Sequence, residues 1–385
     1  MDQRIRFHVD MDAFYASVHI REHPEWRDVP LVVGADPKQG RGRGVVTTCN
    51  YPARRFGLHS AMPISKAWQL CPQATFIRPD FRLYKPASQE VMEVLATYAD
   101  ILQVVGMDEA YLDVTEATGG DWHRATAMAR SLQAAVRRRT GLGCSMGVAP
   151  TKSVAKIASD HRKPHGVTVV TPEDVPRFLD PLPVRLINGC GPKTAARLEE
   201  WGVPTVGELA RTERTFLEER FGSHGGWLHD IANGIDHREV TDVRGPGKSR
   251  GNERTYHRDE RDPGVVRASA RKLLVGLLDD KDRRAFSTLT VKLRYSDFTT
   301  LTRSHTLSIP LDPDGECRAL TIATMESLLD PLLDGRAVRL VGVRLSGFTA
   351  RTGQRSLEGF GLAMPPDVRQ VNQPSARQSL RCKTT

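Results

Sequence analysis

The sequence predicts a multidomain α+β protein, and three observations carry that prediction. Its 385 residues are length enough for two to four domains, each with its own core. Over the first 150 or so residues, strand-like and helix-like periodicities follow the order strand, helical insert, helix, two strands, helix, strand. That is the order of a split βαββαβ, ferredoxin-like core. From about Thr255 to Thr349, helical stretches again alternate with β-rich runs, which reads as a second α/β unit.

The elements follow in order. Ile5, Phe7 and Val9 alternate with Arg6, His8 and Asp10, the period of a half-buried strand with Asp10 on its polar side. From Asp12 the spacing turns helical, Phe14 and Val18 sharing a face, and Asp12 is placed as the helix N-cap. LVVGADPKQGRGRGVVTTCN predicts two short strands around a Gly-rich connection, and ARRFGLHSAMPISKAWQLCP two short helices broken at Gly57 and Pro63. SQEVMEVLATYADI is an amphipathic helix. ILQVVGMDEAYLDVT gives two strands flanking Gly106–Asp108. A long helix, DWHRATAMARSLQAAVRRRTG, and a short strand, GCSMGVAP, complete the set. Residues 171–238 are short helices cut by Pro and Gly, and 239–250 are a polar, Gly-rich, basic linker. Residues 351–385 lose periodicity and gain Pro, Gln and Ser, the composition of a flexible tail.

Composition narrows the function classes. No run approaches the ~20 apolar residues of a membrane span, and the N-terminal stretch lacks the apolar core of a signal peptide. The six cysteines are scattered, without a CxxC pair, which fits a reducing cytoplasm better than a disulfide framework or a zinc knuckle. The net charge is +9, and between Arg244 and Pro310 fifteen Lys/Arg face eight Asp/Glu. Such a local excess is the electrostatic footprint of a phosphate-facing surface. A phosphate loop is excluded: GVAPTKS has Thr151 where GxxxxGK[ST] requires glycine.

Asp10 ends the first strand, and Asp108 and Glu109 sit at the turn between two later strands. If the first and third strands of the sheet are neighbours, three carboxylates meet. Unpaired, they would repel one another; with Mg²⁺ they become oxygen ligands of the kind that ion prefers. Two such ions about 4 Å apart are the apparatus of nucleotidyl transfer. On spacing alone, surface acids at loop ends are the simpler reading.

HVDMDAFYASV, VVTTCNYPARRFGLHSAMP, GMDEAYLDV and GVAPTKSVAKIASDHRKPHG, in that order, resemble the Y-family of translesion DNA polymerases, most closely its DNA polymerase IV (DinB-type) branch. The similarity runs from about residue 5 to 350. It implies a right hand: a palm of residues 1–12 and 80–170, small fingers of 13–79, a helix-hairpin-helix thumb of 171–238, and an α/β little finger of 251–350. It implies Asp10, Asp108 and Glu109 as catalytic metal ligands for two Mg²⁺ ions, helped by the Met11 carbonyl. One departure is Gly106, where the family usually has serine; this predicts a looser turn.

The resemblance also implies the substrate contacts. Tyr51 and Arg54, three apart on a helical turn, and Lys163 grip the dNTP phosphates, with Thr48 beside them. Tyr15 is the steric gate that excludes a 2′-hydroxyl, while Phe14 belongs to the core. Thr47, Ala61 and Met62 cover the nascent base pair. Lys156 is expected on phosphate or template. LPVRLINGCGPKTAARLEEWGV reads as helix, tight turn, helix, so Gly189, Gly191 and Lys193 are expected on the DNA backbone, as are Arg250 and Arg254. GQRSLEGFG places Gln354, Leu357 and Phe360 in a Q-x-x-L-x-x-F pattern similar to a clamp peptide, closer to the PCNA type than to the bacterial type. No second acidic cluster resembles a proofreading exonuclease, so low fidelity is expected. The expected partners are primer–template DNA, dNTP and a sliding clamp, with no membrane; the protein is expected to act as a cytoplasmic monomer, nucleoid-associated when on DNA. A DNA-binding repair factor without activity, or a metal-dependent nuclease, would share parts of this pattern.

Overall fold

β1 (Arg6–Met11) has the predicted alternation but is not half-buried. Phe7 and Val9 are 0% and 1% exposed, and so, on the opposite face, are His8 and Arg6. The reason is its place in the fold. The computed structural model describes residues 4–243 and 245–349, and β1 is the middle strand of the largest sheet. It is followed by α1 (Phe14–Glu22), β2 (Leu31–Gly34), β3 (Val46–Cys49), α2 (Tyr51–Arg54), α3 (Ile64–Leu70) and β4 (Thr75–Ile77). Then come α4 (Phe81–Ala96), β5 (Ile101–Val104), β6 (Glu109–Asp113), α5 (Thr115–Thr118), α6 (Trp122–Thr140), β7 (Cys144–Ala149), α7 (Lys152–His161) and β8 (Val167–Val169).

The large sheet has the order β5-β6-β1-β7-β8, antiparallel except where β8 joins β7. One face packs on α4 and α6 through Ala87, Val91, Leu95, Ala129, Leu132 and Val136. Asp121 starts α6 by accepting the His123 and Arg124 N–H groups. The other face is covered by α7. That helix descends onto β7 at Gly147, where a Cβ would lie 1.9 Å from the Ala155 carbonyl oxygen. His8, opposite Gly147 in register, hydrogen-bonds Ser159 of α7 at 2.8 Å. A polar strand face thus becomes interior. A small sheet, β3-β2-β4, carries its own core with Val32, Val46, Ile64 and Met62.

Asp12 is not the cap of α1. Ala13 holds the N-cap position, at φ 47°, with no side-chain cap bond. Asp12 instead turns inward, where its carboxylate accepts from Ser145 Oγ at 2.8 Å and from the His165 N–H at 2.9 Å.

Five helices follow: α8 (Val175–Leu179), α9 (Pro192–Glu200), α10 (Val206–Arg211), α11 (Arg214–Phe221) and α12 (Ser223–Ala232). They share a core that includes Leu179, Leu198, Leu209, Leu217 and Leu228. The expected helix before the GCG turn is a single 3₁₀ turn, Val184–Leu186, ended by extended backbone at Ile187.

The chain divides into two units between Arg244 and Gly245. The second contains β9 (Ser249–Glu260), α13 (Pro263–Leu278), β10 (Ala285–Tyr295), β11 (Thr300–Leu311), α14 (Gly315–Leu329) and β12 (Val338–Thr349). Its antiparallel sheet runs β11-β10-β12-β9, with Leu289, Val291, Leu293, Val343 and Leu345 buried in a core shared with α13 and α14. β9 begins at Ser249, so the end of the predicted linker is strand. Gln354, Leu357 and Phe360, and the expected tail, lie outside the described residues. Among the described residues no helix is long and apolar enough to cross a membrane.

Candidate active site

Antiparallel pairing sets Asp10 opposite Glu109, and the Met11 N–H donates to the Asp108 carbonyl at 2.8 Å. The end of β1 and the turn between β5 and β6 therefore share one edge. The turn is closed rather than loose: the Val105 and Gly106 N–H groups both donate to the Glu109 carbonyl at 3.1 Å. At Gly106 a Cβ would come 3.2 Å from Asp108 Oδ1, so glycine leaves that carboxylate room.

This edge opens on a cleft of about 150 Å³. The predicted residues Asp10, Met11, Tyr15, Thr47, Thr48, Tyr51, Arg54, Asp108 and Lys163 all line it. Ala13, Phe14 and Ser60 line it too. Sequence reasoning missed Ala13 and Ser60, and only their adjacency to expected residues could have indicated them.

Burial raises the pKa of Asp10, and the Lys163 ammonium 2.7 Å away offsets this only in part. Asp108 is likewise raised by burial, with the Glu109 charge adding to it. Lys163, which also pairs with Asp160 at 2.7 Å, is raised above the ordinary lysine value because its two carboxylates outweigh burial. Glu109 differs. Its hydrogen bond with His8, together with the Lys156 ammonium, outweighs burial and brings it to about 2. His8 itself is lowered by burial.

On the opposite wall, the Arg54 guanidinium lies 4.7 Å from the Tyr51 ring centroid, and Arg54 Nε donates to the Cys49 carbonyl at 3.3 Å. Burial pushes the Tyr51 phenol up to about 12, so its hydroxyl stays a donor at neutral pH. Tyr15 stands on an aromatic floor: Tyr84 at 4.4 Å, Phe14 at 5.6 Å and Phe81 at 6.2 Å between ring centroids. Phe14 is buried, as expected.

Other expected residues lie elsewhere. Met62 is buried in the core of the small sheet. Ala61 is exposed beside Ser60, with φ 66°. Lys156 faces Glu109 and His8. Gly189, at φ 102°, forms the turn before α9; Gly191 is the α9 N-cap, and Lys193 is exposed in the first turn. Arg250 pairs with Asp280 at 2.7 Å, and both Arg250 and Arg254 stand on the helix side of their sheet, opposite Leu345 and Val341. The open side carries Lys292, Arg294 and Arg344 among Thr288, Thr290, Ser304 and Thr306.

The donor chemistry fits a hard divalent cation. Asp10 and Asp108 supply oxygens whose charged form burial disfavours, and an ammonium group already balances Asp10. Among the described residues no group of three His, Cys, Asp or Glu side chains is arranged to hold a metal ion. Glu109 would join only on exchanging its Lys156 contact.

Residues 9–160 match the model of the impB/mucB/samB family, and residues 247–358 that of the family's C-terminal domain. The chain is 45% identical over 361 residues to the DNA polymerase IV of Methanoculleus marisnigri, covering 93% of this chain and 98% of that one. It is 41% identical to DNA polymerase IV 2 of Methanosarcina mazei, covering 92% and 95%. Among solved structures it resembles a Y-family DNA polymerase chimera of Dbh and Dpo4, with TM-score 0.79 and 30% identity over 90% of this chain and 100% of the other. An insertion ternary complex of Dbh DNA polymerase gives TM-score 0.62 at 28% identity, again over 90% and 100%.

Proposed function

The chain belongs to the Y-family of DNA polymerases, in its DNA polymerase IV (DinB-type) branch, and from that premise we propose how its cleft works. It is a DNA-directed DNA polymerase of the translesion class. The five-stranded sheet is the palm, and the 4-1-3-2 arrangement of β1, β5, β6 and β7 supports a ferredoxin-like reading. The small sheet with α1 to α3 forms the fingers, α8 to α12 the thumb, and the second unit the little finger.

One observation supports the mechanism: two carboxylates, a buttressed aromatic and the three donor side chains Tyr51, Arg54 and Lys163 line a single cleft. Asp10 and Asp108, with Glu109 and the Met11 carbonyl, would hold two Mg²⁺ ions, which neutralise phosphate charge and make the primer 3′-hydroxyl a better nucleophile. Arg54 and Lys163 bind the β- and γ-phosphates with charge-assisted hydrogen bonds, and Tyr51 turns its one hydroxyl proton from Asp12, 3.4 Å away, to a phosphate oxygen. Tyr15, held from behind by Tyr84, fills the space a ribose 2′-hydroxyl would need. With both reactants held in line, the 3′-hydroxyl gives up its proton to solvent as its oxygen forms a bond to the α-phosphorus and the bond to pyrophosphate breaks. Lys292, Arg294 and Arg344, on the open side of their sheet, are better placed for phosphates than Arg250 and Arg254.

The test is extension of a labelled primer on undamaged and lesion-bearing templates. The wild type lengthens the primer on both, and Asp108→Ala abolishes extension. An Asp108→Ala protein as active as wild type overturns the carboxylate assignment, and shortening of the primer favours a nuclease.

A further inference from the structure

Asp12 is only 3% exposed, yet its carboxylate touches three segments of the chain. Oδ1 accepts from Ser145 Oγ of β7 at 2.8 Å and from the Tyr51 hydroxyl, at the start of α2, at 3.4 Å. Oδ2 accepts the His165 backbone N–H at 2.9 Å, and His165 Nδ1 lies 3.2 Å away. His165 has φ 60°, a left-handed conformation that needs support in a residue other than glycine. Its ring also packs against Gly143, where a Cβ would lie 2.1 Å from the imidazole. The loop after α7 therefore has its path set by one buried acceptor. Lys163 stands on that loop two residues earlier, and Arg54 stacks on the Tyr51 ring.

We propose that Asp12 is a positioning residue for the incoming nucleotide. It fixes the separation of the Tyr51/Arg54 wall from the Lys163 loop, so that both meet one triphosphate. This rests on the reading of the cleft as the triphosphate site. The chemistry of the position specifies a carboxylate. Asparagine has the same size but one acceptor oxygen: flipped toward His165 it makes the Ser145 and Tyr51 hydroxyls turn to accept, and unflipped its amide NH₂ faces the His165 N–H, donor against donor. The Lys163 loop then loses its anchor while β1 keeps its ladder.

The test compares Asp12→Asn and Asp12→Ser with wild type in single-turnover primer extension across dNTP concentrations. Binding of primer–template and the unfolding midpoint are measured alongside. For Asp12→Asn the Kd for dNTP rises about tenfold or more. Its Kd for primer–template stays within about twofold, and the rate at saturating dNTP falls less than the dNTP Kd rises. Combined with Lys163→Ala, Asp12→Asn adds less than its own single effect, because it acts through that loop. Full additivity, an unchanged dNTP Kd, or equal losses in dNTP and DNA binding overturns the positioning role, as does a variant that no longer folds, since Asp12 would then serve stability. Arg54→Ala separates the two levels. If it leaves dNTP affinity intact, the triphosphate reading itself fails; if it weakens dNTP while Asp12→Asn does not, only the proposal about Asp12 fails.

Discussion

Gly147→Ala is expected to be the most damaging single-methyl addition in the five-stranded sheet. The added Cβ would sit 1.9 Å from the Ala155 carbonyl oxygen and 2.6 Å from the Ser159 nitrogen. Both are backbone atoms of α7, so no side chain can rotate away. Restoring 1.9 Å to an ordinary 3.4 Å contact moves the helix off the sheet by about 1.5 Å. Overpacking a well-filled interior costs about 1–3 kcal/mol, and a rigid backbone clash belongs at or above the upper end. At about 3 kcal/mol the unfolding midpoint of a unit this size falls by roughly 6–12 °C. Catalysis should suffer separately, because α7 carries Lys156 and leads into the Lys163 loop. A misplacement of about 1 Å can cost on the order of 100-fold in rate. Calorimetry or circular dichroism gives the midpoint, and single-turnover extension below it gives the rate. Gly191→Ala is the control: its Cβ meets nothing within 4 Å and its φ of −69° suits any residue, so the change stays within about 1 kcal/mol. Equal midpoints for Gly147→Ala and Gly191→Ala would refute the claim that α7 is seated by direct contact at Gly147.

Two further outcomes are expected. Tyr15→Ala should raise ribonucleotide incorporation by at least about tenfold while dNTP incorporation persists, measured by single-nucleotide insertion; unchanged discrimination removes Tyr15 as the gate. Asp236, buried beneath the start of α7, accepts from Ser153 N at 3.0 Å, Ser153 Oγ at 2.6 Å and the Arg238 guanidinium at 2.8 Å. Burial alone would raise its pKa, but these bonds lower it to about 2. A depressed carboxylate stabilises the fold above its unfolded value near 3.8 and loses that contribution as pH falls toward 2. The loss is of order 2 kcal/mol. Unfolding midpoints from pH 5 to 2.5 should therefore fall more steeply for wild type than for Asp236→Asn, and parallel curves would contradict this.

The sequence exposed most of the five-stranded sheet and its helices because they obey their own periods, and because strand adjacency brings Asp10 and Glu109 face to face without further information. It concealed what depends on coverage. The polar face of β1 reads as solvated, yet α7 covers it through a glycine far along the chain. β9 has no apolar alternation, since an edge strand held by its ladder to β12 exposes most of its side chains. Arg250 and Arg254 of β9 looked free to meet DNA, yet register with Leu345 and Val341 turns them toward the helices.

Asp12 shows the same effect at the scale of one residue. An aspartate before a helix is the ordinary signature of an N-cap, and nothing local distinguishes it from a buried acceptor. The difference lies in its partners, Ser145 and His165, which sequence distance hides. Geometry then separates the two aspartates of the DMD triplet. Asp10 faces an ammonium and keeps a fifth of its side chain in solvent, where it can exchange partners. Asp12 is closed in by Ser145 and the His165 N–H, an arrangement that disfavours exchange of those two partners. On the reading proposed above, Lys163 is the group that exchanges Asp10 for a phosphate on its own four-carbon stem, while the His165 backbone beside it stays held by Asp12. A cation that changes partners on a loop held by a buried acceptor is what that reading requires, so that one cleft orients a nucleotide and still releases pyrophosphate.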